Sequence, residues 1–313
     1  MSDGKNEFDQ NGGLKRGRTV FQQSFGDGAG ELPIVPQRYR LIWAAACPWS
    51  TRVAIVRELL GLQNVISLGE VDVLRPDIDR IDWSFKHYQN EIDPVLQTHY
   101  LSESYRKADS TYDKRPTVPA LVDTESGKVV NNDYNHLTIY LETQWKSYHK
   151  AGAPDLYPTD LREQIDQLNK IIYSDINNGV YKAGLARNQC AYEKAFDQLF
   201  YRLDELDERL KQCKFLFGDR LTDSDVRLFT TLARFDTVYY ELFRCNKKRI
   251  RDYEHLWRYA RELYAIPAFK NHTRFDDIKK HYYTSSHWQW YWGINKGREA
   301  ILPKGPDNLI WEL

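Results

Sequence analysis

The stretch Tyr39-Arg-Leu-Ile-Trp-Ala-Ala-Ala-Cys47-Pro-Trp-Ser50 decides how the rest of the chain is read. Its first half is short and apolar, as a buried strand is, and its second half opens a helix at once. Pro48 suits a first helical position, Val53, Val56 and Leu59/Leu60 recur at helical spacing, and Gly61 can stop the run, so residues 48–60 are expected to be helical. Cys47 therefore falls at a strand-to-helix junction. There the unpaired N–H groups and the positive end of the helix dipole stabilise a thiolate, the reactive form of cysteine. Ser50 stands where a second cysteine would close an internal disulfide, which leaves a mixed disulfide with an outside thiol as the natural intermediate. The plainer reading of Cys47 is a small buried residue at a turn, as most free cysteines are.

Downstream, Val65-Ile66 to Val71-Asp72-Val73 gives a second strand, expected to pair in parallel with the first. A polar and aromatic stretch over residues 74–114 follows, with Trp83, Phe85, Tyr88 and Tyr105, and insertions of this length are often functional. Thr117-Val-Pro-Ala-Leu-Val-Asp123 and Lys128-Val-Val-Asn131 read as a hairpin around Glu125-Ser-Gly127, with a helix from Asp133 to Trp145. Strand-helix-strand followed by strand-strand-helix is the thioredoxin order. In that order Val118-Pro119 is expected to be cis, presenting the N–H and C=O of Val118 to a ligand, although a trans bond is the commoner state of X-Pro. Beyond Pro154 the pattern turns wholly helical, with periods at Leu161 to Ile176 and Ala191 to Leu210, and a capping box at Leu221-Thr-Asp-Ser-Asp225. The expected architecture is α/β plus all-α. It comprises an N-terminal arm (1–36), a thioredoxin-like thiol-binding domain (37–150) and an all-helical domain with a C-terminal tail (155–313).

The 313 residues carry 44 basic and 44 acidic side chains, so no net field draws the chain to nucleic acid or to an anionic membrane. The N-terminal segment is polar and glycine-bearing, and no apolar run approaches the ~20 residues of a membrane helix. Four scattered cysteines suit a reducing compartment, the cytoplasm, with Cys190, Cys213 and Cys245 read as structural. The His and Cys residues lack metal-ligand spacing, and no metal is expected. The acidic-basic run Asp204-Glu-Leu-Asp-Glu-Arg209 reads as a solvated helix face. With 21 Tyr, 9 Trp and 13 Phe, the chain has rings both for its core and for a pocket that takes a flat aromatic ligand.

Cys47-Pro-Trp before a basic residue, Thr117-Val-Pro, Val130-Asn-Asn followed by an acid, Ile176-Asn-Asn-Gly-Val-Tyr-Lys182, Leu228-Phe-Thr-Thr-Leu-Ala-Arg-Phe-Asp236 and Arg244-Cys-Asn together resemble the glutathionyl-hydroquinone reductases, the Xi class of glutathione transferases. The likeness runs from Tyr39 to Pro306. It implies that Cys47 attacks the sulfur of a glutathionyl-hydroquinone, releases the hydroquinone, and is freed from its mixed disulfide by a second glutathione. It also implies that Trp83, Arg115 and the backbone of Val118 contact glutathione, that Asp133 holds the γ-glutamyl amine, and that the protein is a homodimer assembled through its helical domain. Tyr181, Tyr239 and Tyr282 match the tyrosines that bind the hydroquinone hydroxyls, where phenols can donate or accept the protons that a keto form of the ring requires.

Two departures stand out. The family reads Glu-Ser-Ser where this chain has Asp133-Tyr-Asn135, so the bulky Tyr134 replaces a short hydroxyl for the γ-glutamyl carboxylate, which is then expected at the helix N-terminus on backbone N–H groups. Ser50-Thr51-Arg52 replaces Ala-His-Arg; Arg52 either supports the thiolate or solvates a helix face, and His136 is expected at the surface or as a cap. The co-substrate is therefore glutathione or another low-molecular-weight thiol. The competing functions are a general thiol-disulfide or dehydroascorbate reductase and a non-catalytic binding scaffold.

Overall fold

The computed structural model describes residues 8–10, 12–14, 17, 19–75, 82–286, 288, 301–305 and 308–312. It divides into two compact units, one of Met1–Gly17, Pro154–Lys279 and Leu302–Leu313, the other of Arg18–Ala153 and Lys280–Ile301. The first is helical and the second is built on a sheet.

In the sheet unit, β1 (Tyr39–Trp43), β2 (Ile66–Glu70), β3 (Ala120–Asp123) and β4 (Lys128–Asn131) lie in the order β2-β1-β3-β4. β1 runs parallel to β2, with Tyr39 opposite Ile66, and antiparallel to β3, with Ile42 opposite Ala120. Every residue of β1 is buried, in keeping with its mostly apolar side chains; the one charged side chain, Arg40, is paired at 2.8 Å with the buried Asp93. That pair ties the stretch after β2 to the sheet. α1 (Pro48–Leu59) joins β1 to β2 and stops at Gly61, whose φ of +77° suits glycine and where a Cβ would meet the Lys150 side chain at 2.5 Å.

The described residues of the 74–114 stretch contribute to this core. The stretch carries α2 (Leu101–Ala108), and Trp83, Phe85 and Tyr105 are buried with Ile42, Ala120 and Val122. The N-terminal arm is anchored on the sheet unit through Phe21 and Phe25. Phe25 is 1% exposed and meets Tyr39 and Trp145 edge-on at 5.4 Å each, while Phe21 and Asn132 exchange two hydrogen bonds of 2.9 and 3.1 Å. A segment with no regular period is thus fixed by single aromatic anchors, each contributing about 1.5–3 kcal/mol on burial. The expected helix at Asp133 begins only at Leu137, as α3 (Leu137–Thr143), because the chain from Asp133 to His136 closes on itself in tight turns. Residues 280–286 and 288, expected with the helical domain, fall with the sheet unit. His281 stacks on Trp83, centroids 5.8 Å apart and planes 18° apart, and its Nδ1 contacts the Val73 carbonyl.

The helical unit contains α4 (Arg162–Ile171), α5 (Gly179–Gly184), α6 (Gln189–Arg209), α7 (Asp223–Arg234), α8 (Glu254–Tyr264), α9 (Pro267–Asn271) and α10 (Phe275–Thr284), the last divided by the unit boundary after Lys279. α7 is buried along its whole length. π-helical turns at Ile172–Asn177 and Phe235–Tyr239 interrupt the regular period. The 204–209 run is not merely solvated: Asp204 accepts from Tyr253 Oη, and Asp207 accepts the backbone N–H groups of His255 and Leu256 at the start of α8. Among the described residues no helix is long and apolar enough to cross a membrane.

Candidate active site

Cys47 is the N-cap of α1, with extended backbone (φ −82°, ψ 115°) and Pro48 at the first helical position. The turn that delivers it from β1 is locked by Ser50. The Ser50 hydroxyl, fully buried, accepts from the Ala44 N–H at 3.1 Å and donates toward the carbonyls of Ala44 at 3.1 Å and Cys47 at 3.3 Å. The residue in place of a second cysteine therefore serves the backbone. Cys47 is half-buried, and its Sγ donates to the Val118 carbonyl at 3.5 Å; the Val118-Pro119 peptide is cis. Cys47 packs against the cluster that holds Trp83 and Val118, so three of the expected site residues come together. Trp83 Nε1 is a buried donor with no acceptor among the described residues.

Thr117 and Asn132 steady the Val118 turn. Tyr105 Oη donates to the Thr117 carbonyl at 2.8 Å, and Asn132 Nδ2 donates to Tyr105 Oη at 3.1 Å and to Thr117 Oγ1 at 3.2 Å. Burial of this phenol pushes it up to about 12.

Asp133 is buried. Desolvation works against its charge, but hydrogen bonds from His136 Nδ1 at 2.7 Å and the Asn135 N–H at 3.0 Å outweigh it and hold the carboxyl below the ordinary range. His136 is exposed and caps α3. The carboxylate cradle expected there is not formed, because α3 starts late and the backbone donors are already engaged: Asp133 N–H on Asn131 Oδ1, Tyr134 N–H on the Asn132 carbonyl, Asn135 N–H on Asp133 Oδ1, and the N–H groups of His136 and Leu137 on the Asp133 carbonyl. Tyr134 leans on Trp49, centroids 5.1 Å apart, and the Arg52 guanidinium lies 5.2 Å from the same indole. Arg52 is 1% exposed, so its reading as a solvated helix face fails.

Arg115 is half-buried and lies within electrostatic range of Arg75. Sequence reasoning missed Arg75. Its guanidinium sits 4.1 Å from the Trp83 ring centroid and couples to Cys47 and Asp82 as well as Arg115. A lone arginine in an irregular segment has no periodic signal; only its nearness in sequence to Trp83 could have hinted at it.

The three tyrosines divide between the units. In the helical unit Tyr181 and Tyr239 approach hydroxyl to hydroxyl at 3.4 Å, with Phe243 edge-on to Tyr181 at 5.2 Å. In the sheet unit Tyr282 packs on Trp288, centroids 5.2 Å apart, and on His281 at the same spacing. All four cysteines are free; Cys190 is exposed, and Cys245 is buried, which pushes its thiol well up.

A thioredoxin-like sheet unit with one cysteine at its strand-to-helix junction, accompanied by an all-helical unit, defines the glutathione transferase class. The glutathione S-transferase N-terminal domain family matches residues 46–144 and its C-terminal domain family residues 191–262. The glutathionyl-hydroquinone reductase PcpF of Sphingobium chlorophenolicum is 38% identical over 274 residues, 87% of this chain and 83% of its own. Two solved structures are also similar. The glutathione S-transferase Xi of Phanerochaete chrysosporium superposes with a TM-score of 0.86 at 36% identity, covering 98% of this chain and 96% of its own. The glutathione-bound YqjG of Escherichia coli K-12 superposes with a TM-score of 0.82 at 36% identity, covering 91% and 90%. The chain belongs to the glutathionyl-hydroquinone reductases, the Xi class of glutathione transferases, a family of thiol-transfer enzymes.

Proposed function

We propose that the protein removes glutathione reductively from glutathionyl-hydroquinones, with Cys47 as nucleophile. The Cys47 thiolate attacks the conjugate's sulfur, the aryl carbon–sulfur bond breaks, the ring carbon takes a proton, and Cys47 is left in a mixed disulfide with glutathione. A second glutathione thiolate then attacks that disulfide, releasing glutathione disulfide and the Cys47 thiolate. Trp83, Arg115, Val118 and Asp133 hold glutathione, and the Trp83 indole N–H is a buried donor suited to it. Tyr181, Tyr239 and Tyr282 handle the hydroquinone hydroxyls and their protons. The enzyme works as a homodimer in the cytoplasm. The observation that carries the reading is the half-buried Cys47 sulfur at a helix N-cap, 3.5 Å from the Val118 carbonyl and with Ser50 in place of a resolving cysteine.

Intact mass after incubation with glutathionyl-hydroquinone should show one glutathione adduct on the parent, cleared by added glutathione, and none on Cys47→Ala. An unmodified parent that still turns over sinks the one-cysteine mechanism. The engaged donors from Asp133 to Leu137 favour a second reading, in which another low-molecular-weight thiol is the co-substrate. An adduct cleared faster by a thiol without the γ-glutamyl group would select it. Faster turnover of small disulfides than of the conjugate would instead make the protein a general thiol-disulfide reductase, and an inert parent a binding scaffold.

A further inference from the structure

The backbone of Trp83 is fixed, because its N–H donates to Asp82 Oδ1 at 2.7 Å and its carbonyl accepts the Leu101 N–H at 2.9 Å. Neither bond sets the indole, which turns about two side-chain torsions, the second of them broad. Yet that ring is 3% exposed, lies in the cluster against which Cys47 packs, and carries at Nε1 a donor without an acceptor among the described residues. A buried N–H that is to meet a ligand serves only if its ring is held at a set tilt.

His281 supplies such a hold. Its buried imidazole lies nearly parallel to the indole, planes 18° apart and centroids 5.8 Å apart. The imidazole is itself tied down, since its Nδ1 contacts the Val73 carbonyl, a group that can only accept; Nδ1 therefore carries the proton and donates it. The acceptor belongs to the sheet. Val73 follows Val71 and Asp72, whose N–H groups donate to the carbonyls of Trp43 at 3.0 Å and Ser84 at 2.8 Å. Tyr282 and Trp288 meet the same imidazole edge-on, with centroids at 5.2 and 6.4 Å. The Arg75 guanidinium carbon also lies 4.1 Å from the indole centroid, and substitution of His281 leaves that contact in place.

We propose that His281 is a positioning residue for the thiol co-substrate: stacked on Trp83 and bonded to the Val73 carbonyl, it sets the tilt of the indole, and so the direction of its Nε1–H, before any thiol arrives. The inference rests on the reading that Trp83 contacts the co-substrate.

The test is fluorine NMR of the full-length protein labelled with fluorotryptophan, with Trp83→Phe identifying its signal among those of nine tryptophans, and Trp257 and Trp311 identified in the same way. Without thiol, His281→Ala and His281→Asn should move or broaden the Trp83 signal and leave those of Trp257 and Trp311 unchanged. His281→Phe, which keeps a flat ring, should stay close to the parent. An unmoved Trp83 signal in His281→Ala overturns the proposal, and so does an equal change in every tryptophan, which marks His281 as packing alone. If His281→Ala does not fold by circular dichroism, His281→Asn decides, because it keeps a donor for the Val73 carbonyl. Glutathione or cysteinylglycine added to the parent should shift the Trp83 signal. For each thiol that does so, His281→Ala should raise KM about fivefold with kcat nearly unchanged, and a fall in kcat at unchanged KM overturns the role. A parent whose Trp83 signal answers to neither thiol sinks the reading of Trp83 and with it the purpose given to His281, an outcome visible without any variant.

Discussion

At Ser50 the chain shows how the Cys47 turn is kept in shape: three contacts of 3.1–3.3 Å from one hydroxyl hold Ala44 and Cys47 in register. Tyr134 is the opposite case, a bulky ring that leans on Trp49 where the family has a short hydroxyl. A short hydroxyl there could hydrogen-bond a carboxylate, worth about 1 kcal/mol, so Tyr134→Ser should lower the KM for glutathione roughly fivefold with kcat nearly unchanged. Steady-state kinetics over a range of glutathione concentrations would check it, and an unchanged or raised KM would show that Tyr134 is not in the thiol's way. Cys47 and Val118 were legible because each lies in a short motif, whereas Trp83 was named from the family resemblance alone. The use of the Asp133–Leu137 donors was not, since it depends on the side chains of Asn131 and Asp133 folding back on the chain.

At the level of elements, the start of α7 shows what local sequence can and cannot say. The Thr222–Asp225 box is visible as an i, i+3 pair, and the structure contains it, with the Thr222 N–H and hydroxyl both donating to Asp225 Oδ2 at 2.8 and 2.9 Å. The same carboxylate also accepts the Leu216 N–H at 2.9 Å and the Tyr259 hydroxyl at 2.8 Å, neither of which the sequence reveals because the partners come from a distant turn and from α8. Asp225→Ala strands four donors at once and should cost about 3–5 kcal/mol, read as a drop in urea midpoint. A change below about 1 kcal/mol would mean the site relaxes around the gap. The π-helical turns were equally hidden. One extra residue per turn moves every later side chain around the helix but leaves composition untouched. Tyr239 closes one such turn, and Tyr181 lies in α5, which follows the other.

For the whole molecule, buried phenols set the alkaline limit. Tyr39 and Tyr105 are pushed up to about 12 by burial, and Tyr253 and Tyr259 are raised by burial and by the carboxylates of Asp204 and Asp225. Above about pH 10 the unfolded chain loses phenolic protons that the folded chain keeps, so stability present below that pH declines as the pH rises toward 12. Urea midpoints measured from pH 8 to about 11.5 should fall steadily above about pH 10; a flat profile would mean these hydroxyls ionise in the folded state at their ordinary values. The fold class was readable throughout, while the route of the chain was not. Both units are assembled from separated segments, a choice made by single anchors such as Phe25 and His281 and not by any sustained pattern.

That route has a consequence during synthesis. His281 follows Val73 by 208 residues, so at about 5–20 residues per second the ribosome delivers it roughly 10–40 s later. Until then a nascent sheet unit, however complete its four strands, carries Trp83 without its stacking partner. A message cut short between the codons of Asn131 and His281 yields a polypeptide that has all four strands, Cys47 and the Trp83 indole, but lacks the ring that stacks on that indole.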